Sequence, residues 1–232
     1  MVNILAFDTV TPVCSIGIVS AKGTYYAEID AGQRHSESFM EAADLLMKLA
    51  GLDPADLDAT ACMKGPGSFT GLRVGFAAAK GICLALDIPL IAVPTLDCVA
   101  FEGAAFPGLV LPVLDAKQSR YFTALYRSGE CLTDYLDASA GTVKDLLRGF
   151  GESAPILLTG LSADLLYSEL KADPFTAERL RLSPGRRNGS ARSLLTLAAA
   201  RFAECPGNDA ASGPLYLRKS DAEIQSAKPR QP

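Results

Sequence analysis

Apolar residues in this chain fall in short runs that end on polar turns. Ile4-Leu5-Ala6-Phe7 stops at Asp8-Thr9-Val10-Thr11-Pro12, and alternation resumes through Cys14, Ile16 and Ile18 to a turn at Ala21-Lys22-Gly23. Thr24 to Ile29 follows, so period-two runs separated by turn residues predict a three-stranded meander. The period then changes. Phe39, Ala43, Leu46 and Ala50 recur at helical spacing with Met40 and Met47 on the shoulder, which predicts a helix from about Ser38 to Ala50. Ser38 and Glu41 fit a capping box, and Gly51 fits a C-terminal stop. The methionine shoulder makes this apolar face wider than a core seam requires. Ala59 to Met63 reads as a buried strand, Lys64 to Gly75 as a glycine-rich loop, and Phe76 to Leu86 as a helix capped by Ser68 or Thr70. Pro89 to Val93 is another buried strand, and Thr95 is placed to cap a helix over Leu96 to Glu102.

After a break at Phe106-Pro107-Gly108 the opening pattern returns. Leu109 to Leu114 ends at Asp115, and the turn Ala116 to Ser119 leads into a strand from Arg120 to Tyr126. Strand, acid, turn and strand at the start of each half suggest an internal duplication. Further on, Thr142 to Leu147 reads as a short helix, Ile156 to Gly160 as a strand and Ser162 to Leu170 as a helix. Ser190 is placed to cap a longer helix through Phe202. The organisation expected is an N-terminal unit over 1–106, a reduced C-terminal unit over 107–218 and a polar tail over 219–232.

The glycine-rich loop, Gly65-Pro66-Gly67-Ser68-Phe69-Thr70-Gly71-Leu72-Arg73-Val74-Gly75, fits none of three phosphate or nucleophile motifs. A dinucleotide fingerprint needs glycine where Thr70 stands, and a Walker loop needs Gly-Lys-Ser/Thr where Gly-Leu-Arg stands. A nucleophile elbow needs glycine where Pro66 stands. On the following helix Gly71, Gly75, Ala78, Ala79 and Ile82 share a narrow face, with Leu72, Phe76, Cys83 and Leu86 on a larger face beside it. Small residues four apart let another helix come close, either from this chain or from a second one. Asp8, Thr9 and Thr11 admit two readings: a turn that positions a metal-bound phosphate, or side chains bonded to their own turn.

Composition narrows the chemistry. Hydrophobic residues make up 49% of the 232 and charged residues 21%, enough for a real core. A net charge of -4 supplies no global basic field to hold nucleic acid unaided. The six cysteines never approach CxxC spacing, and most sit in apolar runs, as reduced buried thiols in a cytoplasmic protein would. His35 is the one histidine, so a two-histidine metal site cannot form within one chain. No secretory signal is expected, because Asn3 and Asp8 interrupt the first apolar run; no uncharged apolar stretch is long enough to span a bilayer.

With these pieces placed, the chain resembles the TsaB (YeaZ) family of bacterial tRNA threonylcarbamoyladenosine biosynthesis proteins. The resemblance runs from Ile4 to about Arg218 and is strongest over Gly65 to Gly75. His35-Ser36-Glu37, Asp8 to Thr11, Thr95-Leu96, Asp115-Ala116 and Pro214-Leu215-Tyr216-Leu217-Arg218 also match family positions. It implies an α/β protein with the duplicated actin-like ATPase (ribonuclease H-like) fold in two subdomains. It also implies a non-catalytic scaffold with no cofactor of its own. The implied partners are the catalytic actin-like subunit that transfers threonylcarbamoyl to the adenosine beside the tRNA anticodon, and a small ATPase. Alone, such a protein is expected to be a homodimer, to meet tRNA only through the complex, and to have no membrane association. The implied partner interface comprises His35, Ser36, Phe39, Met40, Ala43 and Met47 on the first helix. Ser68, Phe69, Thr70, Gly71, Gly75 and Ala79 complete it on the second.

Departures from the pattern sharpen this. The lone histidine removes the paired-histidine metal chemistry that the resemblance implies for the catalytic subunit, and the turn after Asp8 lacks the glycine with which active actin-like ATPases approach phosphate. Thr159 to Ser162 lacks a second glycine that an adenosine-binding turn favours, and Pro94 stands where the family has serine. The alternative is a stand-alone magnesium-dependent ATPase or phosphotransferase using Asp8, Thr9, Thr11 and Asp115 around a nucleotide. A peptidase, an older description of such proteins, lacks both a metal pair and a triad here.

Overall fold

The computed structural model describes residues 2–30, 35–150, 153–185, 188–204 and 207–218; the side chains of 35–38 lie outside that description. β1 (Ile4–Asp8), β2 (Cys14–Ser20) and β3 (Gly23–Ile29) form an antiparallel meander, with Ile4 opposite Val19 and Cys14 opposite Ile29. α1 (His35–Ala50) crosses over to β4 (Ala59–Gly65), which lies parallel to β1. α2 (Phe69–Leu86) crosses to β5 (Leu90–Pro94), parallel to β4, and α3 (Thr95–Phe101) leads out of the sheet. The strand order is β3-β2-β1-β4-β5.

β6 (Leu109–Asp115) and β7 (Arg120–Thr123) begin the second sheet, with β8 (Tyr126–Arg127) and β9 (Glu130–Cys131) as a short hairpin beside β6. β10 (Leu136–Ser139), α4 (Ala140–Gly149), β11 (Ile156–Thr159), α5 (Ala163–Lys171), α6 (Pro174–Ala177) and β12 (Leu180–Leu182) follow. The order β10-β7-β6-β11-β12 repeats that of the first sheet, antiparallel and parallel pairings included. The repeated sequence pattern is thus a repeated topology, the duplicated actin-like α/β frame. The strand expected over Arg120 to Tyr126 divides in two. β7 pairs with Val113 to Asp115, whereas Tyr126 pairs farther back, with Val110.

β1, β4 and β5 are buried almost throughout, so the first sheet has two apolar faces and both need cover. α1 and α2 cover one, where Phe39, Leu46, Phe76 and Cys83 pack with Phe7, Ile16 and Leu90. The other is covered from the far end of the chain. α7 (Ala191–Glu204) lays Leu194, Leu195 and Ala198 against Ile4, Ala61, Met63 and Ile91. Dividing the chain into 1–106 and 107–218 therefore misplaces α7 and the residues after it, because the first sheet needs a second cover.

Local starts also shift. α1 begins at His35, so Ser38 and Glu41 stand inside it. α2 begins at Phe69, with Ser68 as the cap: its Oγ accepts from Gly71 N at 3.2 Å. Thr95 lies inside α3, and its Oγ1 accepts from Gly65 N at 3.2 Å, so it serves the glycine loop rather than its own helix. Cys14, Cys62, Cys83 and Cys98 are buried and free, and burial pushes the Cys14 and Cys62 thiols up to about 12. Cys131 is exposed, and Cys205 and the tail over 219–232 lie outside the described residues.

α7 packs on Gly17 of β2, where a Cβ would stand 2.6 Å from Leu195 Cδ1. Gly17→Val is expected to lower stability by about 1–3 kcal/mol through overpacking. Urea unfolding of the double variant with Leu195→Ala should recover part of that loss, because the two changes act at one contact.

Candidate functional site

Asp8 ends β1 with no exposed surface, and both its carboxylate oxygens are occupied. Oδ1 accepts from Val10 N at 3.0 Å and Thr11 N at 3.4 Å; Oδ2 accepts from Thr11 Oγ1 at 3.1 Å and Ser190 N at 3.2 Å. Ser190 immediately precedes α7, and the next amide, Ala191 N, donates to Ser15 Oγ at 2.9 Å. Gly189 packs on Ser15, where a Cβ would be 2.6 Å from the hydroxyl oxygen. The segment leading into α7 thus seats itself in the mouth of this turn. Thr9 turns the other way, donating from Oγ1 to Gly71 O at 2.7 Å.

Asp115, the matching acid of the second half, is exposed and holds its own turn. It accepts from Lys117 N at 2.7 Å and pairs with Lys117 Nζ at 2.8 Å. It lines a cavity of about 480 Å³ with Lys117, Arg120, Tyr121, Ser168 and Glu169, and Asp8, Thr9 and Thr11 are not among the lining residues. Of the four candidate nucleotide-binding residues, Asp115 alone lines this cavity. Among the described residues, no group of three or more His, Cys, Asp and Glu could hold a metal ion.

The candidate interface residues divide. Phe39, Ala43 and Met47 point into the core beside Phe7, whose ring meets that of Phe39 edge-on at 5.6 Å. Gly75 and Ala79 are buried too. The glycine face packs on the chain's own first turn, since a Cβ on Gly71 would run into Thr9 O and one on Gly75 would stand 2.6 Å from Thr9 Oγ1. Met40, Ser68 and Thr70 are exposed and Phe69 is half-buried, while the side chains of His35 and Ser36 lie outside the described residues.

Both helices also turn apolar side chains outward. On α1, Met40, Leu45 and Leu49 are 45%, 55% and 58% exposed, and on α2 Leu84 is 83% exposed. Thr70, Ala77, Gly81 and Ala85 are exposed and Val74 and Ala78 half-buried, so a long face of α2 carries no charge. α2 is long and apolar enough to cross a membrane by length and composition, yet only 28% of it is buried. Its core stripe faces the first sheet, which leaves the rest of an apolar helix facing solvent.

Sequence reasoning overlooked the strap that follows α7. Asn208 Oδ1 and Asp209 Oδ2 accept from Leu90 N at 3.2 Å and Ala92 N at 2.9 Å, closing the edge of β5. Ser212 O accepts from Lys80 Nζ at 2.7 Å, and Leu215 N donates to Lys64 O at 2.6 Å. Arg218 then donates to Ala116 O at 3.2 Å and Gln118 Oε1 at 2.7 Å, reaching the second half. The polar, proline-containing composition of 207–218 carries no periodicity that would announce this path.

Burial raises the Asp8 pKa above its ordinary 3.8, although its amide and hydroxyl donors pull it back. The fold thus binds this proton more tightly than the unfolded chain does. Asp8's contribution is present in full below the unfolded value and shrinks as pH rises through the raised one. Asp8→Ala should lose about 3 kcal/mol, from several buried donors left without an acceptor. Asp8→Asn should lack the pH slope, so denaturant titrations should show the wild type's margin over it narrowing between acidic and neutral pH.

Residues 29–225 match the family model of TsaD, tRNA N6-adenosine threonylcarbamoyltransferase. The chain is 36% identical over 127 residues to the tRNA threonylcarbamoyladenosine biosynthesis protein TsaB of Bacillus subtilis, covering 54% of this chain and 55% of that one. It thus spans about half the length of that curated relative. An uncharacterized protein of Mycobacterium tuberculosis is 31% identical over 225 residues, 95% of this chain and 94% of its own. Among solved structures, YeaZ from Pseudomonas aeruginosa superposes with a TM-score of 0.77 at 23% identity, covering 94% of this chain and 100% of that one.

Proposed function

We propose that this chain, which belongs to the TsaD domain family, is within it a protein of the TsaB (YeaZ) kind and a non-catalytic scaffold in tRNA threonylcarbamoyladenosine synthesis. In this reading it docks on the catalytic, TsaD-type subunit, alongside a small ATPase, and meets tRNA through that assembly. In the absence of its partners it pairs with a second copy.

The observation that carries the reading is the uncharged outer face of α2, which includes Thr70, Ala77, Gly81 and the 83% exposed Leu84. A soluble fold gains nothing by exposing so much apolar helix, whereas a docking face needs it. The docking set is displaced outward from the buried stripe to Val74, Ala77, Gly81 and Leu84. Gly81 is telling. A Cβ there would meet nothing within 4 Å, so no contact among the described residues requires glycine, yet glycine in a helix costs roughly 1 kcal/mol relative to alanine. A close-packed partner helix supplies the reason. The saturated Asp8 carboxylate supports the same reading over the ATPase alternative, because that turn already holds the start of α7.

Gly81→Leu is expected to leave the melting temperature near or above that of the wild type and to weaken binding to the TsaD-type subunit at least tenfold. Gly75→Leu should instead destabilise the isolated protein, since it clashes with Thr9. Titration calorimetry and thermal melts separate the two. Absence of any complex between the wild-type protein and that subunit would overturn the proposal, as would heat of binding on titrating ATP into this protein alone.

A further inference from the structure

Arg73 stands one turn into α2 on the exposed side. Its guanidinium carbon lies 3.9 Å from the centre of the Phe69 ring, and its Nε reaches the Tyr216 hydroxyl at 3.5 Å. The Tyr216 ring is 4.8 Å from that of Phe69, tilted by 34°. Tyr216 is fixed in turn by the strap, between the Leu215–Lys64 backbone bond and the Arg218 clamp on the second half. The arginine is therefore pinned by stacking, with its rotamer freedom already restricted.

Its two terminal nitrogens have no hydrogen-bond or ion-pair partner among the described residues. Lys80, the other cation of α2, is engaged by Ser212 O. The helix has no acidic residue. The outer face of α2 thus offers one free, pre-oriented donor fork beside an uncharged apolar surface.

We infer that Arg73 reads a single carboxylate on the protein that docks against α2, through a bidentate pair, with Phe69 and Tyr216 holding the fork in place. The inference rests on the docking reading above and adds to it the charge that the partner must present. Fork geometry matches a planar carboxylate. One cation next to apolar surface suits an apolar helix carrying one Asp or Glu. A nucleic-acid backbone would call for several cations together, in a chain whose net charge is -4.

Calorimetric titration of the purified TsaD-type subunit with the full-length protein and its variants tests this. Arg73→Lys keeps the charge but loses the fork and the stack, and should weaken binding about tenfold. Tyr216→Ala should weaken it severalfold by releasing the fork, and Tyr216→Phe, which keeps the ring against Phe69 but loses the hydroxyl that Arg73 Nε reaches, should weaken it less than Tyr216→Ala does. Arg73→Glu should bind weakly and be rescued when one acidic residue of the partner is changed to arginine. If wild type and Arg73→Lys bind within twofold of each other, Arg73 is not the reader. The inference also falls if the Arg73 variants lose only tRNA binding by the assembled complex, because the fork then serves a phosphate. Either result is distinct from failure of docking itself, in which the wild type forms no complex.

Discussion

Asp8 stands where β1 runs out, and its two oxygens serve donors drawn from both ends of the chain. A carboxylate without exposed surface is tolerable only when its lone pairs are filled. The turn at Val10 and Thr11 fills part of them. The amide before α7 fills the rest, so the C-terminal helix can begin nowhere else. From that fixed start α7 runs across the second face of the first sheet, and the chain beyond it reaches the edge of β5, the glycine loop and the turn after β6. The Asp8 carboxylate is thus an internal tie between the first turn and the last helix.

The same economy of space governs α2. Its glycines at 71 and 75 let the helix lie against Thr9, which sets how closely its first turns approach the sheet. Leu72, Phe76, Ala79 and Cys83 then fill the interior. What remains outward is small or apolar, and the strap covers only the flank with Phe69, Arg73 and Lys80. Close packing on the inside and bareness on the outside belong to one helix, and the proposed docking depends on both. The first makes the surface rigid and the second makes it sticky.

Much of the frame was legible in the residues. Alternation through Cys14, Ile16 and Ile18 marks β2, and the return of strand, acid and turn at Leu109 to Ser119 marks the second sheet. Both rest on local periodicity. The short elements escaped: α6 and β12 are four and three residues long, too short for a period to show. In the candidate site, the wide apolar faces of α1 and α2 were legible, but the assignment of residues to inside and outside was not. Gly75 and Ala79 look alike whether a foreign helix or the chain's own turn lies above them.

The sequence by itself determined the recurring strand, acid and turn, a cap at Ser68 or Thr70, the buried thiols and the presence of an apolar helix after the glycine loop. Each of these follows from spacing within one segment. Only the tertiary structure decided that Asp8 bonds Ser190, that α7 closes the first sheet, and that Tyr216 pins Arg73. Those contacts join residues 182, about 190 and 143 positions apart. No local pattern encodes a pairing over that distance, because it depends on which surfaces remain uncovered once the sheets have formed.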